Sequence, residues 1–199
     1  YDYCHIGHAR VFVFFDSFIK YLRFLGFNVI YIRNVTDIDD KIIFNSKIKF
    51  ISFDKLVFFF INIMKNDFKN LNLLNPVYEP RVSFFINYII NFVQILKKYE
   101  FSYQNCNGDL YYFVNKYLKY GNISNRKLLI NLTYVKKNMK KFYKNFLYDF
   151  VLWKVSNIYK PFWLSCFGNG RPGWHVECSV MSMYYLGDNF NIHGGGLDL

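Results

Sequence analysis

Apolar side chains recur at helical spacing in the first part of the chain. They occupy Phe12, Phe15, Phe18 or Ile19, Leu22 and Leu25. This spacing predicts an amphipathic helix over residues 9–25, and Gly26 is a typical stop signal. The next stretch, FNVIYIRNV, is rich in β-branched and aromatic residues and predicts a strand.

A second helix is predicted to begin within the stretch TDIDDKII. Thr36 or Asp37 is able to cap it, and acidic side chains fall in its first turn. The order helix, strand, loop, helix suits an α/β fold whose first strand precedes Tyr1. Because the chain starts inside a motif and without methionine, we expect it to be a fragment.

The middle of the chain has two more helical patterns and one hairpin pattern. Residues 53–73 and 83–99 are predicted as helices, separated by the proline-containing stretch NPVYEPR. The segment FSYQNCNGDLYYFV predicts a β-hairpin that turns at Asn107–Gly108. Residues 115–148 are rich in lysine and asparagine and favour no single assignment.

The last third differs in composition from the rest. Seven of the eleven glycines lie between Gly168 and Gly196. The pattern there predicts a Gly/Pro loop, an apolar helix from about Trp174 to Leu186, and a short strand that ends at Ile192. A glycine triplet follows this strand.

The formal net charge of +11 permits binding to phosphate or nucleic acid. AT-rich coding is an equal explanation, since Lys outnumbers Arg 19 to 6 and Ala9 is the only alanine. Five lysines recur at helical spacing, and both a solvated face and an RNA contact remain open for them. They are Lys136, Lys137, Lys140, Lys141 and Lys144.

Several features favour a cytoplasmic protein. No apolar run is long enough to span a membrane, and the polar first residues do not form a secretory signal. The four cysteines have no close CxxC spacing, so we expect reduced thiols.

The stretch YDYCHIGHAR places two histidines around a glycine at a predicted helix start. Free backbone N–H groups and the helix dipole attract phosphate there. His5 and His8 share a face, and Gly7 lets a flat group approach the backbone. This pattern predicts binding of a nucleoside triphosphate. The alternative is that the two histidines lie near a helix end by chance and have no chemical role.

The stretches GRPGWHVECS and HGGGLDL add a second group of candidate residues. Trp174 and Cys178 are spaced to share a helical face, and His175 and Cys178 have a spacing compatible with a metal pair. The glycines after a predicted strand lie where a doubly wound sheet binds nucleotides, and Asp198 could accept a bond from a ribose hydroxyl.

Six motifs occur in a familiar order and spacing. They are YDYCHIGHAR, YIRNVTDIDDKII, NGDLYYFV, DFVLWK, GRPGWHVECS and IHGGGLDL. With these motifs the chain resembles the bacterial cysteinyl-tRNA synthetases, a family of class I aminoacyl-tRNA synthetases. The likeness is weakest over residues 115–147.

The resemblance implies an α/β fold: a class I Rossmann-like catalytic domain with a parallel sheet flanked by helices and a connective insertion. It implies a first part of the catalytic domain over 1–45, a helical region and insertion over 46–150, and a return to the catalytic domain over 151–199. We expect the two ends to build the parallel sheet together and to bring His5 near Gly195.

The resemblance also implies the site residues. Those for ATP, bound with Mg²⁺, are His5, Gly7, His8, Gly194, Gly195 and Asp198, of which His5 and His8 are catalytic. Those for cysteine are Thr36, Trp174 and His193. Cys178 matches one ligand of a catalytic Zn²⁺, one per subunit, and His175 matches none.

The implied reaction joins L-cysteine to tRNA(Cys) through cysteinyl-adenylate. Zinc fits this task, because a metal–thiolate bond separates cysteine from serine better than ordinary contacts do. The family's other zinc ligands, its second ATP signature and its anticodon-binding region are expected outside residues 1–199. We therefore expect the isolated chain to be inactive and the complete protein to be an enzyme. For the oligomeric state of the complete protein, a monomer is slightly favoured.

Three alternatives remain open at this point. A cysteine ligase of mycothiol biosynthesis would share most of these motifs. A non-catalytic RNA-binding fragment would use the lysine cluster. A small nucleotidyltransferase with an HxGH motif would lack the WHVECS segment.

Overall fold

The computed structural model describes residues 2–123, 148–156 and 160–195. The chain divides into two compact units. The first comprises Tyr1–Phe84 and Met181–Leu199, and the second comprises Phe85–Val180. The lysine cluster 136–144 lies outside the described residues.

Three α-helices make up most of the first unit. They are α1 (Ile6–Phe24), α2 (Asp40–Ile48) and α3 (Phe53–Asn70), and a short 3₁₀ helix (Val82–Phe84) follows. Helix α1 begins three residues earlier than predicted, because His5 caps it. It ends as predicted: Gly26 has φ +88°, and the Phe27 amide donates to the Leu22 carbonyl at 3.1 Å. These are features of a Schellman C-cap.

The predicted cap of α2 is wrong. Asp39, not Thr36 or Asp37, accepts the bond from the Lys41 amide, at 2.7 Å. The Asp37 carboxylate is instead bonded to Ser83, 46 residues further along. Residues 36–38 therefore precede the helix as extended chain.

The first unit has a small apolar core between α2 and α3. Ile42, Leu56 and Phe60 form its buried centre, with Phe53 and Val57 packed against them. Burial of such side chains contributes about 1.5–3 kcal/mol each.

Residues 31–37 run parallel to residues 77–83. Isolated parallel bridges join Ile32 to Tyr78 and Val35 to Arg81. The predicted strand FNVIYIRNV is reduced to this pairing. Within the part of the chain that the structure describes, these two bridges are the parallel strand pairing that is seen. The larger parallel sheet therefore stays a prediction.

The second unit contains an antiparallel sheet of four strands. These are β1 (Ser102–Gln104), β2 (Leu110–Tyr112), β3 (Phe150–Val155) and β4 (Gly170–Pro172), which lie side by side in chain order. Helix α4 (Ile86–Lys98) contacts β1 and β4. A 3₁₀ turn (Val114–Lys116) follows β2, and the helix α5 (Trp174–Leu186) follows β4.

The predicted hairpin is confirmed as β1 and β2. Its turn includes Gly108, which has φ +88° and donates its amide to the Asn105 carbonyl at 2.9 Å. Helices α3, α4 and α5 also confirm the predicted helical segments, and α5 has the predicted ends.

The predicted Gly/Pro loop before α5 is partly strand β4. A Cβ at Gly170 would lie 2.5 Å from the Lys154 carbonyl oxygen, and one at Gly173 would lie 1.8 Å from that of Val151. Only glycine permits this approach to β3, and Pro172 is tolerated because β4 is an edge strand. The lack of side chains at Gly170 and Gly173 therefore allows β4 to pair with β3.

The strand predicted to end at Ile192 is not formed. Residues 187–195 are irregular, with Gly187 at φ +77° after α5. Among the described residues, no helix has the length and apolar character needed to cross a membrane.

Candidate active site

His5 caps helix α1 with its own side chain. Its Nδ1 accepts a hydrogen bond from the Gly7 amide at 3.1 Å. Nδ1 must be unprotonated to accept this bond, so in the neutral ring Nε2 carries the proton. The cap thus leaves an N–H donor, Nε2–H, on the other side of the ring.

His8 stacks on His5 in the first turn of α1. The ring centroids are 3.8 Å apart and the planes differ by 18°. Partial desolvation and the neighbouring His5 lower the pKa of His8 below its usual value of 6.5. At neutral pH this favours an uncharged imidazole, which can still donate a bond to a phosphate oxygen.

Gly7 lies against the imidazole of His5 in its own turn, and the predicted approach of a nucleotide to Gly7 stays a prediction. A Cβ at Gly7 would lie 2.9 Å from His5 Cε1 and 3.1 Å from His5 Nδ1. A side chain at position 7 would therefore push against the capping imidazole. The contact with His5 by itself therefore favours a glycine at position 7.

The glycine segment near the end of the chain packs against α1. A Cβ at Gly194 would lie 2.2 Å from Phe15 Cζ, so the backbone there rests on the Phe15 ring. His193 contacts the ring of Phe190 at a centroid distance of 6.1 Å. Gly195 is described, whereas Gly196 and Asp198 lie outside the described residues.

Thr36 lies half-buried between two buried residues, Val35 and Asp37. The Val35 amide donates to the Pro80 carbonyl at 2.8 Å, and the Asp37 carboxylate accepts two bonds from Ser83. Both neighbours of Thr36 are thus anchored to one distant stretch.

Trp174 and Cys178 lie on α5, in the second unit. Trp174 is 54% exposed and stacks on His175, with ring centroids 5.7 Å apart. His175 meets the Phe150 ring edge-on at 5.2 Å. That Trp174 shares a pocket with Thr36 and His193, which belong to the first unit, stays a prediction.

The thiol of Cys178 is held in its protonated form. Burial, and next the charge of Glu177, raise its pKa above 9.0. All four cysteines are free thiols, as predicted. A metal ion would have to displace the proton of Cys178, because zinc binds the thiolate.

The described residues do not by themselves fit a zinc site. Within 2–123, 148–156 and 160–195, no three His, Cys, Asp or Glu side chains come together as a metal would require. Four-coordinate zinc needs more than the single donor Cys178.

Sequence reasoning missed the hydrogen bonds between Asp37 and Ser83. Asp37 was considered only as a local helix cap, and Ser83 was only the start of a helix. The one available signal was an acidic residue directly after Thr36, and it did not identify a partner 46 positions away.

The capped helix, its paired histidines and the glycine segment against it are features expected of a nucleotide-binding catalytic domain. Over residues 1–199 the chain matches the family described as tRNA synthetases class I (C) catalytic domain. It therefore belongs to this family of class I synthetase catalytic domains.

Curated relatives in this family carry the name cysteine--tRNA ligase. The chain is 45% identical over 199 residues to the protein of Legionella pneumophila (strain Corby). It is 44% identical over 199 residues to that of Nitrosomonas europaea and 46% identical over 203 residues to that of Wigglesworthia glossinidia brevipalpis. Each match takes in all of this chain and 43% of the relative's length. The predicted resemblance is thereby confirmed.

Proposed function

We propose that the complete protein joins L-cysteine to tRNA(Cys) with ATP, by way of cysteinyl-adenylate. The observation that carries this proposal is the match of all 199 residues to relatives named cysteine--tRNA ligase at about 45% identity. The same names favour tRNA over the amino sugar of mycothiol synthesis. The intact turn of residues 5–8, His-Ile-Gly-His, which we call the HIGH turn, favours an enzyme over an RNA-binding remnant.

In this proposal the start of α1 holds the phosphates of ATP. Nε2–H of His5 and the ring of His8 are donors, and the N-terminal dipole of α1 adds positive potential. Such donors act on charge that develops during transfer and need no rearrangement at that moment. Gly194, Gly195 and Asp198 complete the nucleotide site, and Mg²⁺ accompanies ATP.

Thr36, Trp174 and His193 bind cysteine in this proposal. The packing of Gly194 on Phe15 supports the nearness of the glycine segment to α1. The parallel pairing of 31–37 with 77–83 supports parallel strands near the start of the chain, although 77–83 belongs to the proposed helical region and insertion and not to either end. We also propose the domain limits 1–45, 46–150 and 151–199, and a cytoplasmic location.

Cys178 is proposed as one zinc ligand, although no step is derived through the metal. In the complete protein, Cys178→Ser should lower bound zinc, measured by atomic emission, and weaken selection against serine. A buried thiol without a metal role predicts undiminished zinc and a modest loss of stability.

The test of the proposed function is the charging of purified tRNA(Cys) by the complete protein. We expect ATP-dependent acylation with labelled cysteine, and acylation with serine lower by orders of magnitude. Cysteine-dependent exchange of pyrophosphate into ATP should occur without tRNA. Ligation of cysteine to an amino sugar in place of tRNA, or no cysteine-dependent exchange, would overturn the proposal.

A further inference from the structure

The backbone on both sides of Thr36 is fixed to a segment far along the chain. Residues 31–37 and 77–83 pair in parallel at a constant offset of 46 positions. The amide of Val35 donates to the Pro80 carbonyl at 2.8 Å, and the Val35 carbonyl accepts from the Val82 amide at 3.3 Å. These bonds anchor the N-terminal side of Thr36.

Asp37 anchors the other side with two bonds to one residue. One carboxylate oxygen accepts from the Ser83 amide at 2.9 Å, and the other accepts from the Ser83 hydroxyl at 2.5 Å. Asp37 is only 5% exposed. Hydrogen bonds to a carboxylate are stronger than those between neutral groups, and burial protects them from competing water.

A second pair keeps the same register nearer the start of the segment. Arg33 donates from Nε and Nη2 to Oε1 of Glu79, at 3.0 and 2.6 Å. The Arg33 guanidinium also lies 4.4 Å from the centre of the Phe68 ring. The two segments are thus joined at both ends, and Thr36 lies beside the Asp37–Ser83 end.

We propose that Asp37 is a positioning residue for cysteine binding, because its bonds to Ser83 fix the backbone that presents Thr36. This inference rests on the proposed function, in which Thr36 contacts the substrate. A side chain that binds substrate equally before and during reaction affects KM more than kcat. Loss of Asp37 should therefore change the KM for cysteine selectively.

The test uses pyrophosphate exchange by the complete protein. We expect Asp37→Ala to raise the KM for cysteine roughly tenfold to a hundredfold, with kcat and the KM for ATP little changed. Asp37→Asn, which keeps one acceptor for the Ser83 amide, should have a smaller effect. Ser83→Ala should be intermediate and Ser83→Thr, which keeps the hydroxyl, close to wild type. These milder changes keep the test decisive if Asp37→Ala does not fold.

Asp16→Ala is the matched control. Asp16 is also a buried carboxylate in the first unit: it is 7% exposed, accepts from the Leu74 amide at 2.6 Å and pairs with Lys20 at 2.6 Å. Both alanine variants should melt at a lower temperature, but only Asp37→Ala should raise the KM for cysteine. Equal KM changes in the two, or none in the Asp37 and Ser83 variants, would overturn the inference.

Thr36→Ala separates this inference from the proposed function. If Thr36→Ala raises the KM for cysteine and the Asp37 variants do not, only the positioning role is wrong. If Thr36→Ala has no effect, Thr36 is not a substrate residue and Asp37 has nothing to position. If the wild-type protein shows no cysteine-dependent exchange, the proposed function fails first.

Discussion

The two units of the chain are stabilised in different ways. In the second unit, the fully buried residues Ile89, Leu110 and Trp153 lie on helix α4 and on strands β2 and β3 of the sheet. In the first unit, polar side chains join distant segments, and large apolar side chains face solvent, including Ile6 at 88% and Phe24 at 84% exposure. The HIGH turn thus begins a helix that leaves large apolar side chains exposed, whereas the centre of the sheet in the second unit is fully buried.

This difference has a consequence for mutation. At Gly170 and Gly173 of the second unit, the backbone of β3 leaves no space for an added side-chain atom, so a single methyl group should be very damaging there. The polar pairs of the first unit should fail one at a time and at lower cost. We expect four such effects, in order from the largest to the smallest.

Gly173→Ala should have the largest effect on stability. Its Cβ would lie 1.8 Å from the Val151 carbonyl oxygen, a rigid backbone atom. We expect the free energy of unfolding to fall by about 3 kcal/mol or more, which is the upper end for overpacking. A loss of this size is enough to unfold a marginally stable unit. Gly26→Ala is the control: it meets open space but has φ +88°, and should cost about 1–2 kcal/mol. Chemical denaturation compares the two, and equal losses would contradict the packing argument.

Glu79→Gln should cost less. It removes the negative partner of Arg33, whose side chain is only 10% exposed, against 18% for Glu79. Because the pair is partly solvated, we expect about 1–3 kcal/mol rather than the full penalty of a buried unpaired charge. Unfolding in urea at low and high salt measures it. Lys116→Gln, which breaks the exposed pair with Glu100, is the control. If Glu79→Gln lowers the free energy of unfolding no more than Lys116→Gln does, burial does not strengthen the Arg33–Glu79 pair.

His5 variants separate capping from chemistry. His5→Asn retains a cap acceptor and should cost a few tenths of a kcal/mol, whereas His5→Ala should cost about 1 kcal/mol. Both should reduce pyrophosphate exchange by the complete protein, because both remove the Nε2 donor. Wild-type exchange in His5→Asn would show that His5 only caps the helix.

Cys178 gives the smallest and most local effect. Its raised pKa means that the folded state holds the thiol proton more firmly than the unfolded chain. The resulting stability is present below about pH 9 and declines as the pH rises above it. In the presence of a chelator, iodoacetamide should therefore modify Cys178 more slowly than the exposed Cys166 at about pH 8. Equal rates, read by mass spectrometry of the peptides, would contradict the raised pKa.

Local patterns predicted local structure well. Helical spacing identified α1, α3, α4 and α5, and the Asn–Gly pair identified the hairpin turn, because each depends on neighbouring residues. The start of α1 was placed too late, since apolar spacing does not reveal a side-chain cap such as His5.

Structure that depends on distant partners was not predictable. Asp37 looked like a helix cap because its partner Ser83 is 46 residues away. Strand β4 looked like a loop because glycine disfavours strands in general, and only contact with β3 explains its use at 170 and 173. Of the candidate site, the pairing of His5 with His8 followed from spacing, whereas the anchoring of Thr36 did not.

His8→Ala in the complete protein tests the central claim most directly. His8 is exposed in the first turn of α1, so its loss should leave the fold intact and remove the proposed donor to the phosphates of ATP. We predict that the kcat of cysteine-dependent pyrophosphate exchange falls by about 10²–10³, while cysteine binding measured by calorimetry is unchanged. An unchanged exchange rate would show that the HIGH turn does not act in adenylate formation.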